Sequence, residues 1–406
     1  GNADLKFPEI TNEKGEKIQI TNGRFVPLEE SKDRRVRKEV FEKYYETFGS
    51  FKNTWATLYA GQVKQLMFYA RARKYSSTLE AAVDGNNVSP EVYKNLVEAV
   101  NDNLDKMHRY VRLRKKLLEL DELHMYDVYV PIVKDYDAKY TIEEAKELVL
   151  KAVEPLGTNY VNLIKKAFAE RWIDVVENEG KRNGAYSSGV YGVHPFVLLN
   201  FNGTLDNVFT LAHEMGHAMH SYFSNEAQNY LDSRYKIFVA EVASTTNEVL
   251  LMEYMLKNAK DNKERAYLLN HYMDSFKGTV FRQTMFAEFE KTSNEMAEAG
   301  EPLTHENLTE LYLNLNKKYY GEAMISDDLI GYEWMRIPHF YYNFYVYQYA
   351  TGFSAAVAIA NRVLKEGETA VNDYMKFLQS GCTKDPVSLL RIAGVDMATK
   401  EPINSA

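Results

Sequence analysis

Two histidines and a glutamate share one short stretch of the chain, in the pattern His213-Glu214-x-x-His217. On a helix, side chains four positions apart point in nearly the same direction, so both imidazole rings would face one point. Two such rings can bind a single zinc ion, and a glutamate between them can act on a water molecule at that ion. The spacing therefore predicts a zinc site, with His213 and His217 as ligands and Glu214 as general base.

A catalytic zinc ion usually has three protein ligands and one open position, so a third ligand is needed. His220 is on the same face, but it lies about 10 Å along the helix axis from His213, too far to share one ion. A longer zinc motif would require Gly at position 220 and His at position 223, where this chain has His220 and Phe223. The third ligand must come from another segment.

Glu241 is the better candidate, because it stands in an apolar stretch at positions 238–243. A lone carboxylate there would be costly, and a metal cation removes that cost. Glu248 follows seven positions later on nearly the same helix face and could orient a ligand histidine. We expect one zinc ion per chain, with Glu241 as its third ligand.

Helices must position these residues, and helical patterns dominate the chain. Apolar residues recur at helical spacing from 208 to 223, and Thr204 or Asp206 could cap that helix. The predicted helices are 32–83, 90–121, 142–180, 206–224, 236–260, 263–299, 304–320 and 338–366. A strand is predicted at 196–201, and a hairpin at 17–26 around Asn22-Gly23. The expected fold class is mainly α, one multi-helix body with a small β-sheet beside the HEMGH helix.

The segment 337–361 has no charged residue and is long enough to span a bilayer. It also holds Asn343, Gln348 and five tyrosines between 341 and 349, whose polar groups would be expensive in lipid. A buried helix lining a polar cavity is therefore the better interpretation.

On such a helix His339, Tyr342, Tyr345 and Tyr349 would lie along one stripe. Phenol and imidazole groups can stabilise the oxyanion that develops when a carbonyl is attacked. Aromatic packing in the core explains any single one of these tyrosines equally well.

Composition excludes several classes of protein. The net charge of −8 argues against a nucleic-acid partner, and a single cysteine, Cys382, rules out internal disulfides and suits a reducing compartment.

The chain opens with GNADLKF, without a methionine or a secretory signal, so we expect a processed or truncated chain from which targeting information is missing.

With these residues assembled, the sequence resembles the M3 family of zinc metallopeptidases and, within it, the oligoendopeptidase F branch, related to thimet oligopeptidase and neurolysin. The resemblance covers essentially the whole chain. The segments that carry it are HEMGHAMH (213–220), FVAEVASTTNE (238–248), RIPHFYYNFYVYQYATG (336–352), HPFVLLNFNGTLDNVFTLAHE (194–214), LDELHMYDVYVP (120–131) and IAGVDM (392–397). It implies the same zinc ligands and catalytic base, and it matches Glu248 to the family's glutamate seven positions after the third ligand.

In the thimet branch a histidine and several tyrosines of this region contact the substrate. Here the spacing after His339 differs, so Tyr342, Tyr345, Tyr347 and Tyr349 all compete for those roles. We favour His339, Tyr345 and Tyr342 as catalytic residues.

The resemblance also implies an elongated, mostly helical metallopeptidase with a deep channel that admits short peptides, working in the cytoplasm. Residues 1–406 would form a single catalytic region, without the N-terminal helical part that the family usually carries. Within it we expect a zinc-site core at 184–260 and a substrate-lining helix at 337–361. The strand 196–201 could hold an extended substrate by strand addition, and His220 is expected to make a structural hydrogen bond.

The expected function is zinc-dependent endopeptidase activity on short oligopeptides, with no nucleic-acid or membrane partner. One alternative is a non-catalytic zinc-binding scaffold, which would not need Glu214. Others are a dipeptidyl peptidase or carboxypeptidase of the same zinc class, and a membrane protein built on 337–361.

Overall fold

A computed structural model describes residues 5–133 and 138–406 of the chain, and these residues are mainly helical. The α-helices are α1 Phe25–Glu29, α2 Arg34–Gly49, α3 Lys52–Ala72, α4 Thr78–Asp84, α5 Pro90–Asp102, α6 Leu104–Leu117, α7 Ile142–Ala152, α8 Thr158–Ala169, α9 Leu205–Ala227, α10 Ile237–Lys257, α11 Asn262–Ser275, α12 Arg282–Glu298, α13 His305–Tyr320, α14 Tyr347–Glu366, α15 Glu368–Leu378, α16 Pro386–Ile392 and α17 Glu401–Ser405. The strands are β1 Glu9–Thr11, β2 Lys17–Gln19, β3 Leu123–His124, β4 Ile173–Asp174, β5 Tyr186–Ser188, β6 Phe196–Leu198 and β7 Met324–Ile325. The 3₁₀ segments are Met125–Asp127, Glu154–Leu156, Asp328–Arg336 and Pro338–Tyr341, and Phe276–Phe281 is a π-helical segment. The predicted mainly α fold class is confirmed.

The predicted helices 206–224, 236–260 and 304–320 are confirmed within a few residues, as α9, α10 and α13. The longer predicted helices are divided. Residues 32–83 form α2, α3 and α4, and α3 ends just before Lys74, whose φ is +66°. Residues 142–180 are interrupted at Gly157, with φ +91°, and no longer helical after Ala169. Left-handed backbone ends a helix, and helical periodicity alone does not show where that happens.

The predicted helix 338–366 begins too early, because helix α14 starts only at Tyr347. Pro338–Tyr341 is a 3₁₀ turn, and the two residues Asn343 and Phe344 both have positive φ. Residues 350–360 are all buried, which confirms the predicted buried helix for that part alone. Among the residues described, we find no helix with the length and apolar character needed to cross a membrane.

The predicted hairpin around Asn22-Gly23 is wrong. Strand β2 pairs antiparallel with β1, with Glu9 opposite Gln19, so the turn lies at residues 12–16. Asn12 closes it, because its Oδ1 accepts hydrogen bonds from the N–H groups of Lys14 and Glu16 at 3.0 and 2.9 Å. The chain at Asn22-Gly23 instead turns into helix α1.

The described residues group into two compact units. The first lies within Gly1–Val83, Val100–Lys134 and Phe281–Tyr347. The second lies within Asp84–Ala99, Asp135–Val280 and Gln348–Ala406.

Buried acidic groups organise the first unit. Asp127, which is fully buried, forms ion pairs with Arg34 and Arg37 at 2.9 and 2.7 Å. Glu333 forms pairs with Arg282 and Arg336 at 2.7 and 2.8 Å. Each buried carboxylate therefore has two cationic partners, which offset the cost of removing it from water.

In the second unit, α9 and α10 form the most extensive helix pair, and α9 also packs against a three-stranded sheet in the order β4-β6-β5. The sheet beside the HEMGH helix is thus confirmed. Strand β6 is central, parallel to β4 and antiparallel to β5. Because both edges of Phe196–Leu198 are paired, a substrate strand cannot be added to this part of the predicted 196–201 segment. For residues 199–201 strand addition stays a prediction.

Candidate metal centre

Helix α9 carries both predicted ligand histidines, and a capping box fixes where it starts. Thr204 Oγ1 accepts the N–H of Asn207 at 3.3 Å, and Asn207 Oδ1 accepts the N–H of Thr204 at 3.4 Å. Of the two predicted caps, the structure selects Thr204 rather than Asp206. The capping box satisfies two of the unpaired N–H groups at the helix start.

Three ligand atoms converge at this helix. His213 Nε2 and His217 Nε2 are 3.1 Å apart, and Glu241 Oε2 lies 3.3 and 3.6 Å from them. Around a tetrahedral ion with bonds of about 2.0–2.1 Å, neighbouring ligands are roughly 3.3–3.4 Å apart. When both imidazoles are neutral, they and the carboxylate present lone pairs to one another here, so their convergence suits a cation. These residues form the one such metal-ligand group found among the described positions.

The charges of the three converging side chains, which we call the ligand triangle, also favour a bound cation. Burial disfavours a charge on His213, but its hydrogen bonds with Glu241 and Glu248 outweigh that and raise its pKa to about 10. Burial alone would raise the pKa of Glu241, yet the hydrogen bonds from His213 and His217 bring it well below its usual range. Without a metal ion, the carboxylates thus draw a proton onto the imidazole, so the site favours positive charge.

Glu248 contacts the imidazole of His213 at the nitrogen that does not face the ligand triangle. Its Oε1 lies 2.5 Å from His213 Nδ1. A carboxylate that accepts the Nδ1–H of an imidazole fixes the tautomer whose Nε2 carries the lone pair. His213 is therefore bracketed by two glutamates seven residues apart on α10.

Gly216 brings helices α9 and α10 this close together. A Cβ atom at this position would lie 2.5 Å from Ser244 Cα and 2.6 Å from the carbonyl oxygen of Ala243, both backbone atoms that cannot move aside. Glycine is thus the residue that allows the carboxylates of α10 to reach the histidines of α9. The sequence signal was an isolated glycine inside a helical pattern, which usually has a packing reason.

Asn247 is a second residue that the sequence analysis missed. It is fully buried, and its Nδ2 donates to the carbonyl oxygen of Ala212 at 3.1 Å while its Oδ1 accepts from Tyr160 OH at 3.0 Å. These bonds join α8, α9 and α10 one residue before His213. Asn247 follows three other polar residues at 244–246, so no sequence signal singled it out.

Glu214 is only 6% exposed, and its Oε2 has no hydrogen-bond partner among the described residues. Burial raises the pKa of its carboxyl, although His213 and His217 act in the opposite direction. A buried carboxylate oxygen left unpaired beside a metal-ligand triangle is available to bind a proton.

His220 lies outside the ligand triangle. It is buried and its ring stacks on Tyr235, with centroids 3.6 Å apart and planes 3° from parallel. Its Nδ1 has no hydrogen-bond partner in the described parts of the chain, so ring stacking is the contact that the structure shows. Burial lowers the pKa of His220 to about 3, and the ring is neutral at physiological pH.

The three favoured aromatic residues come together in the first unit, although not on a helix. The ring of His339 lies 6.1 Å from that of Tyr345 and 5.7 Å from that of Tyr342. Tyr342 and Tyr345 are 6.3 Å apart, and Tyr342 is 59% exposed. Tyr347 is buried at the start of α14, and Tyr349 follows on that helix.

Comparison with known proteins gives the family. The chain matches Peptidase family M3 over residues 27–406, so it belongs to this family of metal-dependent peptidases. It is 54% identical over 405 residues to the oligopeptidase PepF of Bacillus subtilis (strain 168) and 47% identical over 405 residues to the chromosomal oligoendopeptidase F of Lactococcus lactis subsp. cremoris. The crystal structure of oligoendopeptidase-F from Enterococcus faecium matches with a TM-score of 0.82 at 43% identity. The resemblance to the oligoendopeptidase F branch is confirmed.

Each of these matches covers 100% of this chain but only part of the relative. The chain spans 60% of the Bacillus protein, 67% of the Lactococcus protein and 67% of the Enterococcus chain. The activity of those longer proteins is therefore not by itself the activity of this chain.

The contact at Gly216 makes a direct prediction. In Gly216→Ala, the added Cβ must push α10 away from α9, so metal affinity should fall by about tenfold or more and the free energy of unfolding by about 1–3 kcal/mol. Metal titration and denaturant unfolding measure the two effects. Gly352→Ala is the matched control, because its Cβ would lie 3.7 Å from Glu241 Cβ in ordinary contact. Unchanged metal affinity in Gly216→Ala would contradict this role for the contact.

Proposed function

We propose that this chain is a zinc-dependent endopeptidase that hydrolyses short oligopeptides, with Glu214 as its general base. The observation that carries the proposal is the triangle of His213, His217 and Glu241 with the unpaired carboxylate oxygen of Glu214 on the same helix. The names of the relatives, oligopeptidase and oligoendopeptidase, support the substrate class. A cytoplasmic location stays a prediction.

We assign zinc to the site because two imidazole nitrogens and one carboxylate are a common ligand set for catalytic zinc. One ion per chain would be held by His213, His217 and Glu241. When bound, it would supply Lewis-acid activation of water and of the scissile carbonyl.

Glu214 performs the proton transfers in this proposal. Its carboxylate takes a proton from the attacking water and later delivers that proton to the nitrogen of the leaving amine. The raised pKa that burial gives this carboxyl makes it a better proton acceptor near neutral pH than an exposed glutamate. Water is therefore activated and the leaving group protonated by one side chain.

Glu248 and Asn247 act through the ligands. Glu248 holds the Nδ1 side of His213, which keeps the Nε2 lone pair directed at the metal position. Asn247 fixes the backbone carbonyl of Ala212, the residue before that histidine. We regard both as positioning residues that set the geometry of His213.

We further propose that His339, Tyr342 and Tyr345 contact the peptide substrate, with the Tyr345 phenol donating a hydrogen bond to the developing oxyanion. Support comes from the family resemblance and from the clustering of the three rings in the first unit. Tyr342 is exposed enough to meet a ligand.

A non-catalytic scaffold has no use for Glu214, so Glu214→Gln separates metal binding from catalysis. This variant should keep its fold and its zinc and lose only the proton acceptor, so peptide hydrolysis should fall by roughly 10²–10⁴-fold. Elemental analysis and a peptide-cleavage assay measure the two properties on one sample. His217→Ala is the comparison variant, and it should lose both zinc and activity.

Two results would count against the assignment. Zinc loss in Glu214→Gln would make Glu214 a ligand, and near-normal turnover with zinc bound would remove its role as the base.

The tyrosine assignment is tested by Tyr345→Phe, which deletes one hydroxyl group. If this phenol stabilises the oxyanion, kcat should fall by roughly 10²-fold while KM changes little, since the hydrogen bond forms mainly in the transition state. Steady-state kinetics on a defined peptide give both constants. Tyr347→Phe, at a buried phenol on α14, is the control and should leave kcat unchanged. An unchanged kcat in Tyr345→Phe would leave this residue with a packing role alone.

A further inference from the structure

The segment that carries the three clustered rings has an unusual backbone. We call residues 339–345 the aromatic loop. Within it, Asn343 and Phe344 have φ values of +53° and +54°, so two consecutive residues with side chains adopt left-handed conformations. Such a conformation is unfavourable for a residue with a Cβ atom and persists only where its surroundings compensate. A loop of this shape needs contacts from outside to keep it in place.

One of those contacts is a carboxyl group from helix α12. Glu290 Oε1 accepts a hydrogen bond from the backbone N–H of Phe344 at 2.6 Å. The glutamate is 1% exposed and the phenyl ring of Phe344 is 2% exposed, so water does not compete for this bond. The bond ties the second left-handed residue to a rigid helix of the same unit.

Among the residues that the structure describes, none forms an ion pair with Glu290. Its Oε2 has no hydrogen-bond partner among the described residues, and burial raises the pKa of the carboxyl to about 8. Tyr59 OH and Ser293 Oγ, a neighbouring polar pair, are 2.7 Å apart, and Ser293 Oγ also donates to the backbone carbonyl oxygen of Glu290 at 3.1 Å, so the described hydrogen bonds of this pair do not involve the Glu290 carboxyl. The carboxyl is thus neutral near pH 7, and its described hydrogen bond is the one to the loop.

Phe340 anchors the beginning of the loop in the same region of the core. Its ring lies 4.9 Å from Phe289 and 5.6 Å from Phe286, both on α12. Together with the bond to Phe344, this fixes the loop at two points on one helix. The intervening Tyr342 and Asn343 are exposed, and they are presented outward between those points.

We propose that Glu290 is a positioning residue for peptide hydrolysis, which holds the aromatic loop in its left-handed conformation so that His339, Tyr342 and Tyr345 stay clustered. The inference rests on the proposed function, because the loop matters for activity only if these rings meet the substrate. Without such a role, a buried acid at position 290 would lower the stability of the fold compared with an apolar side chain of similar size.

The test compares three substitutions at this position. Glu290→Gln keeps the carbonyl oxygen that accepts the Phe344 N–H and is close to the neutral form of the acid. Glu290→Met keeps the length and volume but removes the oxygen acceptor. Glu290→Asp shortens the side chain, which withdraws the oxygen from the loop, and it stands in for Glu290→Met if that variant does not fold. Ser293→Ala is the matched control, since it removes buried hydrogen bonds to Tyr59 OH and to the Glu290 backbone carbonyl but leaves the Glu290 carboxyl and its bond to Phe344 in place.

Hydrogen exchange followed by mass spectrometry measures directly how well the backbone amides of the loop are protected. In Glu290→Met, or in Glu290→Asp, exchange of a peptide covering residues 337–346 should become about tenfold faster or more, because the Phe344 amide loses its acceptor. Glu290→Gln and Ser293→Ala should exchange there like the unaltered chain. This readout does not depend on whether the chain cleaves peptides.

Kinetics then separate positioning from a purely structural role. At a temperature where each variant is folded and its zinc content is full, kcat should fall by about tenfold or more in Glu290→Met, with a smaller change in KM and with recovery in Glu290→Gln. Faster exchange with unchanged kcat would overturn the positioning role, and unchanged exchange would overturn the proposal altogether. Equal losses in Glu290→Gln and Glu290→Met would also overturn it, because the acceptor oxygen would then be irrelevant. If the unaltered chain cleaves no peptide, the proposed function fails, while the exchange data still decide whether Glu290 orders the loop.

Discussion

Helices α9 and α10 touch through their backbones at Gly216, and the side chains of the candidate metal centre take their positions from that contact. Ser244, the residue that meets Gly216, lies between Glu241 and Glu248 on the same face of α10. The two glutamates therefore reach His213 from either side of the contact, one at Nε2 and the other at Nδ1. Helices separated by ordinary side chains have axes about 8–10 Å apart, and the small residues here shorten the reach that each carboxylate needs.

The buried acids of this protein fall into two groups, one with arginine partners and one without. Glu333 loses its water but has two arginines, and these hold the pKa of its carboxyl below the usual range although burial alone would raise it. Glu214 and Glu290 have no such arginine within ion-pair distance in the described parts of the chain, and burial raises the pKa of both. A buried acid without a cationic partner lowers the stability of the fold, so its presence indicates a chemical or conformational role. We propose proton transfer as that role for Glu214 and the shape of the aromatic loop as that role for Glu290.

Local spacing was sufficient to predict the helical core of the metal centre. The positions of His213 and His217 follow from the helical repeat, and the convergence of Glu241 was predictable because its neighbours are apolar. The partner of Glu248 was not predictable, because it depends on the close approach of α9 and α10, which the glycine at 216 permits. The cap at Thr204 was one of two choices that the sequence left open.

Predictions failed where the backbone leaves the regular conformations. Residues 338–346 read as helix because their aromatic side chains recur at suitable intervals, but Asn343 and Phe344 are left-handed and the helix begins at Tyr347. The hairpin at Asn22-Gly23 failed for a related reason, because the Asn12 side chain closes a different turn. A favoured turn dipeptide indicates a turn, and it does not decide which segments that turn connects.

We propose that a zinc ion held by His213, His217 and Glu241 would make this chain an endopeptidase for short peptides. Mass spectrometry of a mixed peptide pool incubated with the chain tests it most directly, in untreated, chelated and zinc-restored samples. We expect new fragments cut at internal bonds in the untreated sample, their loss after chelation and their return with zinc. Internal cleavage that continues at full rate in the chelated sample, or no cleavage with zinc fully bound, would contradict it.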